Sequence, residues 1–250
     1  MSNEQAMDLD SLVATLDAIA PPSLADPLDE GRIGLIYRGK EEARTVAVAL
    51  DPTAYVITEA VRAHADVLVT HHTLIWDPVT KILPRFQKEL KLILSNDLSL
   101  YVLHTNYDAA PGGVNDTLAT LLNLRDIVPL GIGRMGTIDP ESIVTLAERV
   151  ARTLNTRVQF AGTGIARRVA VVGGSGFSMA EECIRAGADV LISAEWKHDI
   201  IRHVQGRLCL IDATHYATEA PAMRALAERI GGVFIDDPPH VQAASTAMSR

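Results

Sequence analysis

Three short clusters of histidine and carboxylate residues carry side chains that bind metal ions. In order along the chain they are His71-His72, His104-Thr105-Asn106-Tyr107-Asp108, and His215 with Glu219. If a helix begins at His215, its side chain and that of Glu219 project from one face about one turn apart. Adjacent histidines reach one site only where a strand ends and the chain turns. Each cluster alone also has an ordinary explanation, as a buried histidine, a loop cap or a charge near a helix start.

Together, the clusters supply three imidazoles and two carboxylates, with His104 as an extra imidazole. The five candidate ligands are His71, His72, Asp108, His215 and Glu219. Mixed nitrogen and oxygen ligands suit Fe²⁺, Zn²⁺ or Mn²⁺ better than Ca²⁺, which prefers oxygen alone. Five ligands shared by two ions leave positions open for water, as in reactive sites. Two neighbouring ions can activate that water for hydrolysis. We therefore predict two divalent ions (Fe, Zn or Mn) per chain.

The elements that position these clusters lie in an internal repeat. Segments 46–72 and 169–195 align without a gap, and ten of their 27 positions are identical. Each copy has the pattern of a strand, a turn, a helix and a second strand, which predicts a parallel βαβ unit. We therefore predict an α/β protein of two related halves, residues 1–125 and 126–250, each with a mixed or mostly parallel sheet flanked by helices. The C-terminal part is expected to pack back and complete the shared metal site.

Turn-forming residues mark the junction between the halves. Gly131 to Gly136 and Asp139-Pro140 have the composition of turns. A second glycine-rich segment, Gly173-Gly174-Ser175-Gly176, lies between a predicted strand and helix. Its amides could cradle a phosphate. It matches neither GxGxxG nor a Walker A loop, so a tight turn is the favoured interpretation.

The three metal-binding clusters each follow a predicted strand. Ligands of open α/β sheets gather at the carboxyl ends of strands, which favours one shared site. The repeat places Ala194 and Glu195 at the positions of His71 and His72. The fold alone therefore does not require histidines at these positions.

Composition excludes several classes of protein. The formal net charge of −8 argues against sequence-independent binding of nucleic acid, which needs a basic face. Met1 to Ala20 has the pattern of an amphipathic helix and lacks the basic start and apolar block of a signal peptide. No segment approaches the roughly 20 apolar residues that span a bilayer. These features predict a cytoplasmic protein with no membrane partner.

Four motifs in this order make the chain resemble a known family. They are VTHHTLIW, HTNYDAAPGGVNDTLA, GADVLISAEWKHD and IDATHYATE. The chain resembles the YbgI-like, or NIF-three-like, dinuclear metal proteins, whose members are called GTP cyclohydrolase I type 2 homologues. The resemblance runs from about Leu12 to Phe234, and Ala194 departs from the glycine that is common there. It implies a toroidal homohexamer whose metal sites face an inner cavity.

The resemblance implies roles for the same residues. The family's ligand motifs fall on His71, His72, Asp108, His215 and Glu219. Glu195, Lys197 and His198 resemble groups that support the ligands or face the substrate, although a solvated helix start is an equal alternative. We take His104, His198 and Glu195 as candidate catalytic residues, with His104 or His198 moving a proton.

Three hypotheses for the function follow. The first is a metal-dependent hydrolase that uses a metal-activated water on a phosphoester, amide or ring carbon, with a small phosphorylated or nucleotide-like substrate. The second is a metal-delivery protein that supplies iron for cofactor assembly. The third is a metal-bearing scaffold that acts through protein partners.

Overall fold

The structure is a computed structural model that describes residues 7–241. Its strands are β1 (Met7–Asp8), β2 (Gly34–Tyr37), β3 (Glu42–Ala43), β4 (Val46–Ala49), β5 (Val67–Thr70), β6 (Ser99–Val102), β7 (Arg125–Leu130), β8 (Gly133–Ser142), β9 (Gln159–Ala161), β10 (Ile165–Val171), β11 (Val190–Ser193), β12 (Cys209–Asp212) and β13 (Val233–Phe234). Its helices are α1 (Leu9–Ile19), α2 (Ala54–Arg62), α3 (Pro84–Ser95), α4 (Thr105–Ala109), α5 (Val114–Leu121), α6 (Ile143–Thr153), α7 (Ala180–Arg185), α8 (His198–Val204) and α9 (His215–Ile230). Short 3₁₀ turns lie at Pro22–Leu24, Pro27–Asp29 and Phe177–Met179.

The first sheet is mostly parallel. Its strand order is β13-β4-β5-β6-β2, in which only β2 is antiparallel to its neighbour. Strands β4, β5 and β6 are buried along their whole length. Short runs of Val, Leu and Ala are typical of strands covered on both faces. Helices α1 and α9 pack on one face and α2 and α3 on the other.

The second sheet is mixed. Its strand order is β7-β8-β10-β11-β12-β9, in which β10, β11 and β12 are parallel and the outer strands antiparallel. Helices α5 and α6 cover one face, and α7 and α8 cover the other. The predicted α/β class, with mixed sheets flanked by helices, is confirmed.

The two parallel cores are consistent with duplication. In the first half, Asp66 accepts hydrogen bonds from the backbone amides of Arg44 and Thr45. In the second half, Asp189 accepts hydrogen bonds from the amides of Arg167 and Arg168. These aspartates and the residues that they bind are related by the same offset as the sequence repeat. In each half, the equivalent aspartate binds the two residues that come just before the parallel pairing begins, at Val46 in β4 and at Val169 in β10.

The glycine-rich junction forms a turn only at Gly131 and Ile132, between β7 and β8, and is a strand from Gly133 on, where its composition predicts further turns. Strand β8 covers Gly133–Ser142 and pairs with both β7 and β10. A Cβ atom on Gly133 would lie 2.6 Å from the carbonyl oxygen of Val171, and one on Gly136 would lie 2.8 Å from that of Arg125. These glycines permit close approach of neighbouring backbones, a role that composition alone does not separate from turn formation.

The C-terminal elements return to the first half. Helix α9 packs against β4 and α5, and β13 then extends the first sheet by pairing with β4. Strand β7 begins at Arg125, next to the predicted boundary at residue 125. After β12 of the second sheet, the chain therefore returns to the first sheet through α9, the helix that begins at His215.

Candidate metal centre

The three clusters meet where strands β5, β6 and β12 end. The amides of His71 and His72 both donate to the carbonyl oxygen of Leu50, at 3.1 and 3.0 Å, because the chain turns directly after β5. This turn is what lets two adjacent imidazoles face one site. Asp108 lies in α4 after β6, and α9 follows β12 with His215 as its first residue.

One group of ligand atoms is fully buried. It consists of His71, Asp108 and Glu219. The Nε2 atom of His71 lies 3.6 Å from Oδ1 of Asp108 and 3.7 Å from Oε1 of Glu219. These separations are too long for hydrogen bonds but short enough for one ion to lie between the three atoms.

A second group lies nearer to solvent. It consists of His72, His215 and the same Glu219. The Oε2 atom of Glu219 is 3.2 Å from Nε2 of His72 and 3.0 Å from Nε2 of His215. The His72 and His215 side chains are 25 % and 31 % exposed. Glu219 belongs to both groups, so its two oxygens are arranged to bridge two neighbouring positions.

Unpartnered buried atoms show that the cluster fits a metal. Within residues 7–241, Nδ1 and Nε2 of His71 and Oδ1 of Asp108 are buried without a hydrogen-bond partner. Such orphaned polar atoms are rare in folded proteins because each costs the free energy of its lost hydration. Nε2 of His71 and Oδ1 of Asp108 lie 3.6 Å apart and are atoms of the types that coordinate Fe, Zn or Mn.

The electrostatics of the cluster favour a cation. Burial, together with the nearby charge of Glu219, raises the pKa of Asp108 to about 8. Burial would also raise the pKa of Glu219, but the surrounding imidazoles of His71, His215 and His72 lower it well below its usual value. Two carboxylates in a space this dry repel each other unless positive charge lies between them.

Three further carboxylates orient the histidines. Each binds the Nδ1 atom of one ring: Asp51 at 2.7 Å from His72, Asp29 at 2.8 Å from His104, and Glu195 at 3.1 Å from His215. A carboxylate on one ring nitrogen fixes the tautomer and directs the other nitrogen at the metal. For His72 and His215, that other nitrogen is the one facing Glu219.

Asp29 and Asp51 are the residues that sequence reasoning missed. Asp51 lies two residues after the end of β4 inside the repeat, so its place near the carboxyl end of a strand was a usable signal. Asp29 ends the 3₁₀ turn Pro27–Asp29 and is fully buried, where it also accepts hydrogen bonds from the amide and hydroxyl of Thr105. No pattern around Asp29 in the sequence indicates this contact.

The three candidate catalytic residues have different positions. His104 forms a ligand-competent group with His71 and His72, in addition to its contact with Asp29. Glu195 has a φ of +63°, an unusual conformation for a residue other than glycine. His198 is exposed at the first residue of α8 and belongs to none of the ligand groups found within residues 7–241. Its role in proton transfer stays a prediction.

The glycine-rich turn supports the site and leaves little room for a phosphate. The amides of Gly173 and Gly174 donate to the side chains of Asn115 and Thr218, at 2.8 and 3.0 Å. A Cβ atom on Gly174 would lie 2.1 Å from Oε1 of Glu219, and Gly174 has a φ of +60°. Glycine is therefore needed here both for its backbone conformation and for the space that Glu219 occupies.

Among the helices of residues 7–241, none has the length and apolar character needed to cross a bilayer.

Solved structures with the same architecture include YbgI and reduced HcgD from Methanocaldococcus jannaschii. YbgI is 27 % identical with a TM-score of 0.87, and the match covers 94 % of this chain and all of YbgI. Reduced HcgD is 28 % identical with a TM-score of 0.80, and the match covers 92 % of this chain and 97 % of HcgD.

Curated relatives and a family model agree with these structures. A protein of Pyrococcus abyssi named GTP cyclohydrolase 1 type 2 homolog is 35 % identical over 93 % of this chain and 99 % of its own length. A protein of the same name from Streptomyces coelicolor is 34 % identical over 85 % of this chain and 82 % of its own length. The model of the Duf34/NIF3 (NGG1p interacting factor 3) family matches residues 7–242. The predicted resemblance is confirmed, and the chain belongs to the Duf34/NIF3 family.

Proposed function

We propose that this chain holds two divalent ions and uses them to hydrolyse a small substrate. The observation that carries the proposal is the pair of ligand groups that share Glu219. Its five proposed ligands are His71, His72, Asp108, His215 and Glu219. Imidazole and carboxylate ligands favour Fe, Zn or Mn.

The two metal positions differ in their access to solvent. The position between His71, Asp108 and Glu219 is buried, so an ion there has little contact with water. The position between His72 and His215 is partly exposed and has room for water and substrate. This difference supports a division between a retained ion and an ion that contacts the substrate.

Two bound ions would supply Lewis acidity, which lowers the pKa of a water ligand and neutralises charge on the bond that breaks. The chain's own residues orient this chemistry. Asp51 and Glu195 hold the rings of His72 and His215. His104 is held through Nδ1 by Asp29, which leaves Nε2 to take a proton from the attacking water and return it to the leaving group. His198 is the second candidate for this step.

Metal content per chain tests the proposal. Elemental analysis of protein purified without chelators should find about two Fe, Zn or Mn per chain, with loss of metal in Glu219→Gln. Glu228→Gln is the matched control, because Glu228 lies exposed on the same helix, outside the cluster. If Glu219→Gln keeps both ions, or if the wild-type protein neither contains nor takes up metal, the proposal is wrong.

Hydrolysis needs a separate screen. Wild-type protein loaded with Fe, Zn or Mn should turn over at least one member of a panel of phosphoesters, nucleotides and cyclic amides, whereas His72→Ala should not. The family resemblance also leads us to propose a homohexamer in the cytoplasm. Light scattering on purified protein would test the assembly.

A metal-delivery role is the second candidate. The observation that favours it is the partial exposure of His215 and His72, since an ion held at the surface exchanges readily. Rapid loss of one of two ions to a chelator, with no turnover on the substrate panel, would support delivery. Slow loss of both ions together would count against it.

A further inference from the structure

An aromatic ring borders the candidate metal centre. Trp76 follows the two histidines by four residues, and its ring meets the ring of His104 edge-on, with 5.8 Å between centroids and 80° between planes. His104 in turn lies 5.1 Å from the ring of His71. Trp76 is therefore separated from a proposed ligand by a single imidazole.

The position of this ring is fixed by Arg32. The guanidinium carbon of Arg32 lies 4.7 Å from the centre of the Trp76 ring, within the range of a cation–π contact. The Nε atom of Arg32 also donates to the carbonyl oxygen of Trp76 at 2.5 Å. Backbone and ring are thus held together from one side, which reduces the entropy that a ligand would lose on stacking.

Trp76 remains 41 % exposed despite these contacts. Single exposed apolar residues are ordinary on protein surfaces. Here, however, Arg32 holds the Trp76 ring on one side and His104 contacts its edge. The exposed part of the ring lies beside the proposed metal centre. Flat aromatic surface of this kind binds planar rings by stacking.

We infer that Trp76 is a stacking platform for the substrate, which therefore carries a planar aromatic or heteroaromatic ring. The ring would lie on Trp76 while the group to be hydrolysed reaches the ions. This inference rests on the proposed function for the location of the reacting group, but the stacking itself can be measured without turnover.

Intrinsic fluorescence gives a direct readout. The chain has two tryptophans, so Trp196→Phe leaves Trp76 as the single reporter. Trp196 packs on Phe177 and belongs to no ligand group of the described residues, so metal-loaded Trp196→Phe protein is the reference. The probes are AMP, GMP and UMP, each compared with ribose 5-phosphate, which has the sugar phosphate without the ring. At least one nucleotide should quench Trp76, whereas ribose 5-phosphate should not.

Affinity measured by calorimetry tests the role of the ring. In the wild-type background, Trp76→Ala should weaken that nucleotide about tenfold and leave ribose 5-phosphate unchanged, whereas Trp76→Phe should keep most of the affinity. Metal content and thermal unfolding identify any variant that fails to fold. Equal nucleotide affinity in Trp76→Ala, or no ring-dependent binding of any of the three nucleotides, would overturn the inference.

The two proposals fail separately. Metal-dependent turnover of a ring-free phosphoester that is unaffected by Trp76→Ala would contradict the stacking role of Trp76 and support the hydrolase proposal. Ring-dependent quenching of Trp76 without any turnover would support the platform and count against hydrolysis.

Discussion

The two copies of the repeat differ most at the turn after their first parallel strand. In the first half, this turn carries Asp51, whose carboxylate binds Nδ1 of His72. In the second half, the equivalent position is Gly174, and the space that a side chain would take is filled by Glu219. The same position of the repeat therefore carries an orienting carboxylate in the first half, whereas in the second half it carries a glycine that leaves space for Glu219.

A second difference lies at the end of the next strand. His72 is a proposed ligand, whereas the equivalent residue of the second half, Glu195, directs its carboxylate at Nδ1 of His215. The first half therefore contributes a ligand where the second contributes an orienting group. Two similar halves can therefore build one asymmetric site when equivalent positions take complementary roles.

The largest effect is expected from filling the space at Gly174. Gly174→Ala would place Cβ 2.1 Å from Oε1 of Glu219, so we expect at least hundredfold weaker metal binding, measured by calorimetric titration of metal-free protein. The strained backbone should also lower the free energy of unfolding by about 1–3 kcal/mol.

Gly206→Ala is the matched control for this change. Gly206 has a φ of +78° but nothing within 4 Å of an added Cβ. It should show the backbone cost with unchanged metal affinity. If both variants bind metal equally well, the space left by Gly174 does not matter to the site.

Removing the orienting carboxylates should have the next largest effect. Asp51→Asn is expected to weaken metal binding about 10–100-fold, because the charge that holds His72 is lost. Glu195→Gln should cost less, since its contact with His215 is longer and its side chain is 58 % exposed. Metal titration of the two variants side by side measures this ranking. The reverse order would show that the exposed carboxylate dominates.

Proton competition at His72 predicts a dependence of metal affinity on pH. Burial lowers the pKa of His72, but Asp51 and Glu219 outweigh burial and raise it to about 10 in the metal-free protein. The ring is then protonated at neutral pH and must lose its proton to bind metal, so affinity should rise with pH up to that value. Calorimetry in buffers of different ionisation enthalpy counts the released protons. Asp51→Asn should lower this pKa and release fewer protons, so the affinity that this variant loses should be larger at high pH than at low pH.

The smallest effect is expected where the two halves remain alike. Asp66→Asn and Asp189→Asn each weaken a pair of hydrogen bonds to backbone amides. Each should reduce the free energy of unfolding by about 1–3 kcal/mol, because charged acceptors make the stronger hydrogen bonds. Metal content should stay unchanged in both. Loss of metal in either variant would mean that the shared scaffold and the site are not independent.

The repeat made the parallel cores of the fold predictable. Ten identities in 27 positions align two segments, and each segment has the same pattern of strand, helix and strand. The antiparallel strand β8 was missed because its glycines serve close packing of strands yet have the composition of turns. The strand β13 contains only two residues, and its pairing with β4 depends on a contact between distant parts of the chain.

The site residues that could be predicted from the sequence are those that lie close to one another along the chain. The adjacent histidines and the His215–Glu219 spacing are local patterns, and these residues lie together in the structure. Asp29 reaches His104 across 75 positions, and Arg32 reaches Trp76 across 44. Such contacts form because segments that are distant in sequence pack together in the folded chain, and short-range sequence patterns do not encode this packing.

The return of the chain through α9 has a consequence for biosynthesis. Strands β2, β4, β5 and β6 of the first sheet and His71, His72, His104 and Asp108 are made early, but His215 and Glu219 come from the helix that begins at residue 215. A nascent chain on the ribosome therefore presents histidines without the bridging carboxylate until α9 has emerged and docked. The proposed metal centre therefore has its complete set of ligands only after this segment has been translated and folded.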